Sequence, residues 1–122
     1  MPATPADGRL AAAISTEVVN VFFEHTGRGP TRARTTIDGE TVVVILHEGM
    51  TKGERGLVEA GKDAEVLQLR RSFQETMRGD LIAVVERLTA STVQVFMSAH
   101  PVTPDTAAEI FLMSPKVAAA TE

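Results

Sequence analysis

A long helical repeat in the second half of the chain constrains the fold more than any other feature. Between Gly61 and about Leu88, apolar residues recur without a miss at steps of three and four: Val66, Leu69, Phe73, Met77, Leu81, Val84 and Leu88. This spacing places them all on one face of an α-helix, with a bend possible at Gly79. Such a face has to pack against a second layer, so the chain must supply other elements that cover it.

Two further helices are predicted before this one. The first lies between Leu10 and His25, where one face carries Leu10, Ile14, Val18, Val21 and Phe22. It ends at Gly27 to Pro30, because glycine permits the left-handed backbone that leaves a helix and proline cannot continue one. A short second helix is indicated by Thr51 and Glu54, which have the spacing of a capping box.

The remaining segments predict two pairs of strands. Thr31–Asp38 and Thr41–Glu48 are rich in β-branched residues and are separated by a turn at Gly39, whereas Thr92–Ala99 and Ala108–Met113 are joined by a longer loop. We therefore predict a two-layer α+β fold in the order α-β-β-α-α-β-β, with a four-stranded, mainly antiparallel sheet that carries helices on one face. The first strand is expected at an edge, and the strand order stays open.

The second strand is apolar on both faces. Val42, Val44 and Leu46 point to one side, whereas Val43 and Ile45 point to the other. One layer of helices cannot cover both sides, so we expect a homo-oligomer, most simply a dimer, to bury the face that points away from the helices. The interface candidates are Val43, Ile45, Phe96 and Phe111. The alternative is that the first helix covers this face.

Length and composition limit the classes of protein that need to be considered. The 122 residues suit one domain, which we expect to span residues 1–122 with an ordered core of about residues 8–114 and flexible ends. A net charge of −4 and the absence of Trp and Tyr argue against a nucleic-acid-binding role. No apolar run reaches the length of a membrane span and no secretion signal is recognisable, so a cytoplasmic protein is expected.

No set of residues for catalysis stands out. His25, His47 and His100 have no metal-ligand spacing, and the chain has no cysteine. Neither the G-x-S-x-G pattern of a serine nucleophile nor the phosphate loop of an NTPase is present. We expect no catalytic residues, no metal and no cofactor, and hence not an enzyme.

Arginines supply the most specific chemical hypothesis. Half of the 12 basic residues form the set Arg28, Arg32, Arg34, Arg70, Arg71 and Arg78. A guanidinium can bind a planar anion through two hydrogen bonds. All members of this set except Arg78 are therefore anion-binding candidates. The alternative for Arg70 is an internal ion pair with Glu65, Glu75 or Asp80.

Several short motifs together resemble a known bacterial family. They are Gly27-Arg28-Gly29-Pro30 followed by Arg32, Val42-Val43-Val44, Met50-Thr51-Lys52-Gly53-Glu54-Arg55-Gly56-Leu57, Leu69-Arg70-Arg71-Ser72-Phe73, and Leu81-Ile82 through Leu88-Thr89 before Val93. From about Ile14 to Met113 the chain resembles the MpsC family, formerly a domain of unknown function. It departs from the family pattern at Met50, where leucine is usual, and at Ala90, where glycine is usual.

The resemblance implies a role without implying a reaction. Members of this family are small soluble proteins that accompany membrane subunits linked to cation and inorganic-carbon transport. The chain is thus expected to be an accessory or regulatory binding protein, peripheral to the inner face of the membrane, with a membrane transporter or another protein complex as partner. The alternative is a sensor in which the arginines bind bicarbonate, phosphate or a nucleotide.

Overall fold

The computed structural model describes residues 5–115, which form three helices and four strands. The elements are α1 (Pro5–Thr26), β1 (Arg32–Asp38), β2 (Thr41–His47), α2 (Lys52–Glu59), α3 (Asp63–Thr89), β3 (Val93–Ala99) and β4 (Thr106–Met113). The predicted α+β order is confirmed. Helix α1 starts at Pro5, so it includes three residues of the lead-in that we expected to be flexible; residues 1–4 and 116–122 of the predicted flexible ends lie outside the described residues.

The four strands form one open antiparallel sheet in the order β1-β2-β4-β3. β1 lies at an edge, as predicted. The central pair consists of β2 and β4, which are far apart in sequence, whereas the two hairpins supply the outer pairs. A register shift between Val93 and Val95 marks an irregularity near the start of β3.

Helices α1 and α3 cover one face of the sheet and enclose the core with it. The buried residues of this core are Ile14, Val18, Val21 and Phe22 from α1, Met77, Leu81, Val84 and Val85 from α3, and Val42, Val44, Leu46, Ala107, Phe111 and Met113 from the sheet. Helix α3 runs without interruption through Gly79, and its N-terminal part packs through Val66 on Met50 and Val102 in a second, smaller cluster. Leu69, which we placed on the buried stripe, is 39% exposed and belongs to neither cluster.

The structure corrects the predicted orientation of two phenylalanines. Phe111 is fully buried in the helix-side core, and Phe96 packs against that core with its ring centroid 5.1 Å from that of Phe111. Both were expected on the opposite face. Alternation along a strand shows which residues share a face but not which face is covered, and here the large aromatic rings take the covered side while Val95 and Met97 remain exposed.

The opposite side of the sheet, which we call the outer face, carries Val43 and Ile45 as predicted, both half-buried. Its other apolar side chains are Val95, Met97, Ala99, Ala108, Ile110 and Leu112. Helix α1 packs on α3 and on the inner side of β1, so the alternative in which α1 covers the outer face is wrong. Within residues 5–115, no helix packs against the outer face.

Candidate functional site

Polar side chains converge at the end of the sheet where α2 begins. Thr51 caps α2 through the predicted capping box: its hydroxyl accepts from the Glu54 backbone N–H at 3.2 Å, and Glu54 Oε1 accepts from the Thr51 N–H at 2.9 Å. Glu54 is only 4% exposed. The cap therefore holds a buried carboxylate beside α3.

Arg70 of α3 lies opposite this carboxylate and is bound within the fold. Its side chain is 10% exposed, forms an ion pair with Asp105, and lies 3.9 Å from Glu54 Oε2. It also donates to the carbonyl oxygens of His100 and Pro101, at 3.3 and 2.8 Å. The guanidinium is thus held by one carboxylate and by backbone carbonyls of its own chain.

The internal ion pair of Arg70 was anticipated, but its partners were not. The sequence analysis considered Glu65, Glu75 and Asp80, which lie on α3 itself and are exposed. Asp105 is 35 residues away and reaches Arg70 only because the β3–β4 loop folds back over α3. Nothing in local spacing could have indicated this contact.

Asp105 extends the network to the loop before α2. Its second oxygen, Oδ2, accepts from the Met50 N–H at 2.9 Å, and its backbone carbonyl accepts from the Glu48 N–H at 3.0 Å. Three segments that are distant in sequence are therefore joined through one carboxylate and one guanidinium.

A cavity of about 40 Å³ lies beside this network. Its polar lining residues are Thr26, Glu54, Arg70, Gln74, His100 and Asp105, and its apolar ones include Phe22, Leu46, Phe73, Met77 and Ala107. One guanidinium faces two carboxylates here, so the local charge is negative and disfavours an anion. The pKa of His100 is lowered, chiefly by burial and further by the nearby Arg70 and Arg71 charges, which favours the neutral imidazole.

Glu109 is a buried acid that the sequence analysis missed. It is fully buried, and its Oε2 accepts a 2.7 Å hydrogen bond from Gln74 Nε2. Burial raises its pKa to about 8, against the smaller lowering effects of Gln74 and Ser98. The available signal was its position in β4, where it lies between Ala107 and Phe111 on the same, covered side of the strand.

The candidate arginines are not gathered into one pocket. Arg28 donates through Nη2 to the Glu48 carbonyl at 3.0 Å, and its buried Nε has no acceptor among residues 5–115. Arg32 and Arg34 are exposed on the outer face at β1, and Arg71 is exposed on α3. The remaining member of the set, Arg78, stacks over Phe96 at 5.2 Å.

Arg28 instead lines a surface groove with two basic residues outside the predicted set. Lys52 and Arg55, from the start of α2, line the same groove together with Phe23, Thr26, Gly27, Gly29 and Thr51. No carboxylate lines it. In this groove a predicted arginine and two other cations line the same surface.

The described residues contain neither a cluster of metal ligands nor a membrane-spanning helix. Residues 5–115 hold no group of three or more His, Cys, Asp or Glu side chains with the arrangement of a metal site. Over the same part of the chain, no helix combines the length and the apolar character needed to cross a membrane.

Comparison with known proteins identifies one family. The family model described as "Na+-translocating membrane potential-generating system (MpsC)" matches residues 6–115, which is nearly the whole chain. No curated protein and no solved structure matches the chain.

Proposed function

Because this chain belongs to the MpsC family, we propose that it is a small accessory or regulatory subunit of a Na⁺-translocating membrane system, and that it acts by binding protein and not by catalysis. The proposed location is the cytoplasm, peripheral to the inner face of the membrane. The single observation that carries the proposal is that no helix within residues 5–115 covers the outer face of the sheet.

The outer face has the character of a protein contact surface. One cross-strand row runs through Val43, Ile110 and Met97, and the neighbouring row contains Ile45. Met97 and Val95, on the edge strand β3, are 45% and 43% exposed. Burying apolar surface gains roughly 25 cal/mol per Å², so a contiguous patch of this kind favours occupation by another chain.

Affinity capture from cells that produce the protein natively tests this proposal. Tagged protein should recover a membrane-embedded cation-translocating subunit, identified by mass spectrometry after mild cross-linking. Ile110→Lys should abolish recovery, because it places a charge in the centre of the patch. Leu69→Lys is the matched control, since it adds the same charge at an exposed apolar position on α3, away from the outer face.

Two results would contradict the proposal. One is recovery of the bait without any membrane subunit, and the other is equal recovery by the wild type and Ile110→Lys. Circular dichroism and thermal melts of both lysine variants show whether they are folded, so that loss of capture can be assigned to the surface.

A second candidate function, anion sensing, is supported by the groove that contains Arg28. Arg28, Lys52 and Arg55 line it together, and none of the described residues contributes a carboxylate to its lining. Phosphate, bicarbonate or the phosphate group of a nucleotide supplies the negative charge that pairs with these three cations. Arg70, one of the five anion-binding candidates, does not line this groove and is held by Asp105 and the Pro101 carbonyl.

Thermal-shift titration with each anion tests the second candidate. A site filled to 100 times its dissociation constant stabilises the fold by about 2.7 kcal/mol. Arg55→Gln should remove this stabilisation, whereas Arg71→Gln, an exposed arginine elsewhere, should retain it. A flat response of the wild type to all three anions would rule out this role.

A further inference from the structure

We infer that the occupant of the outer face is a second copy of this chain, related by a two-fold axis that lies across the strands. This inference rests on the proposed function in one respect, the use of the outer face as a protein contact. It assigns that contact to a second copy, so that the chain acts on a membrane subunit as a dimer, and Ile110→Lys abolishes capture by abolishing the dimer. The strand register fixes how side chains are arranged on this face.

Charge on the outer face is confined to the β1 margin and has opposite signs at its two ends. Arg32 and Arg34 lie at the start of β1, and Asp38 lies at its end. The outward-facing residues of the other strands, from β2 to β3, carry no formal charge: Thr41, Val43, Ile45, His47, Thr106, Ala108, Ile110, Leu112, Val95, Met97 and Ala99.

This distribution decides between two possible two-fold axes. An axis parallel to the strands would set β1 over β3 of the partner and place Arg32 and Arg34 over apolar side chains, leaving buried cations without partners. An axis across the strands sets β1 antiparallel over the partner's β1. Each Arg32 then lies over an Asp38 of the second copy, and this pairing occurs twice, as two-fold symmetry requires.

The apolar rows are complementary in size under the same axis. The row Ile45–Ala108–Ala99 and the row Val43–Ile110–Met97 lie on either side of the sheet centre. The two-fold operation places the small side chains of Ala108 and Ala99 over the large Ile110 and Met97 of the partner. Sheets that pack face to face are about 10 Å apart with interdigitating side chains, and alternation of small and large residues allows this.

A charge-swap experiment on the full chain tests the inference. The wild type should be a dimer by sedimentation velocity, and Arg32→Asp and Asp38→Arg should each weaken dimerisation at least about tenfold, because like charges then face each other twice. An equimolar mixture of the two variants should form a heterodimer close to wild-type strength, since both pairs become complementary. The double variant R32D/D38R should also recover.

Several outcomes would overturn the inference. They are a monomeric wild type at all concentrations, failure of the mixed variants to recover, and a dimer that survives Ile110→Lys. The last would indicate that the two copies associate through another surface, such as an edge strand, which leaves the outer face free. Thermal melts of each variant serve as the folding control, and Ile110→Lys gives a second route if Asp38→Arg disturbs the β1–β2 turn.

The two proposals fail separately. A monomeric wild type whose capture of a membrane subunit is lost in Ile110→Lys would overturn the dimer while supporting the accessory role. A dimer that passes the charge-swap test but recovers no membrane subunit would support the dimer and contradict the accessory role.

Discussion

Glu109 on β4 and Gln74 on α3 form a 2.7 Å hydrogen bond in the interior between the sheet and the helix layer. Both residues are buried, and neither the amide oxygen of Gln74 nor Oε1 of Glu109 has a hydrogen-bond partner among residues 5–115. The raised pKa of Glu109, about 8, means that the acid is mostly protonated at neutral pH. The fold therefore contains a carboxyl group that is held uncharged by desolvation.

Replacing Glu109 should change how stability depends on pH. In the folded state the carboxyl group keeps its proton up to about pH 8, whereas the unfolded chain releases it near the ordinary value of 4.5. Unfolding between these values releases a proton, so the free energy of unfolding falls as pH rises, by up to about 1.4 kcal/mol per pH unit.

Glu109→Gln mimics the protonated form and should remove this contribution. Urea denaturation gives the free energy of unfolding of both proteins at several pH values between 5 and 8. The difference between the two slopes against pH is the contribution of Glu109, because the other titrating groups are the same in both proteins. Parallel curves would contradict a buried, proton-holding carboxyl group.

Arg70→Met should destabilise the protein by about 3–5 kcal/mol, because it leaves the Asp105 and Glu54 carboxylates without their shared cation. Arg71→Met is the matched control at the next, exposed position and should change stability by less than about 0.5 kcal/mol. Urea denaturation at pH 7 measures both. Similar losses for the two variants would show that the network contributes little.

Thr51→Ala should cost about 1 kcal/mol, since it removes the hydroxyl that accepts from the Glu54 N–H at the start of α2. Thr76→Ala makes the same chemical change at an exposed position inside α3, where the hydroxyl bonds only to the Ser72 carbonyl. It should be neutral or slightly stabilising, because alanine has the higher helix propensity. Equal thermal shifts for the two would argue against the capping box.

Phe111→Ala should cost about 3–5 kcal/mol, because the ring is fully buried in the helix-side core. Phe23→Ala removes the same side chain where it is 60% exposed and should cost less than about 1 kcal/mol. Phe111→Leu, compared with Phe23→Leu, keeps the comparison measurable if the alanine variant does not fold. A small loss of stability for Phe111→Ala would show that this ring lies on the outer face and not in the core.

Local patterns in the sequence were sufficient for the elements and their order. The three- and four-residue steps of α3, the Thr51–Glu54 capping box and the turn at Gly39 depend on residues a few positions apart, so each could be recognised before the fold was known. The doubly apolar β2 likewise predicted an uncovered side of the sheet, because each strand residue must point to one face or the other.

Long-range contacts decided the rest. The pairing of β2 with β4, the Arg70–Asp105 ion pair and the Gln74–Glu109 hydrogen bond each join segments at least 35 residues apart, and no local spacing encodes them. Alternation gave Phe96 and Phe111 a face without saying which one the helices cover. By itself the sequence determined which side chains lie together on each helix and strand, through backbone periodicity; only the tertiary structure decided which of those faces meet, because that depends on the packing of the whole chain.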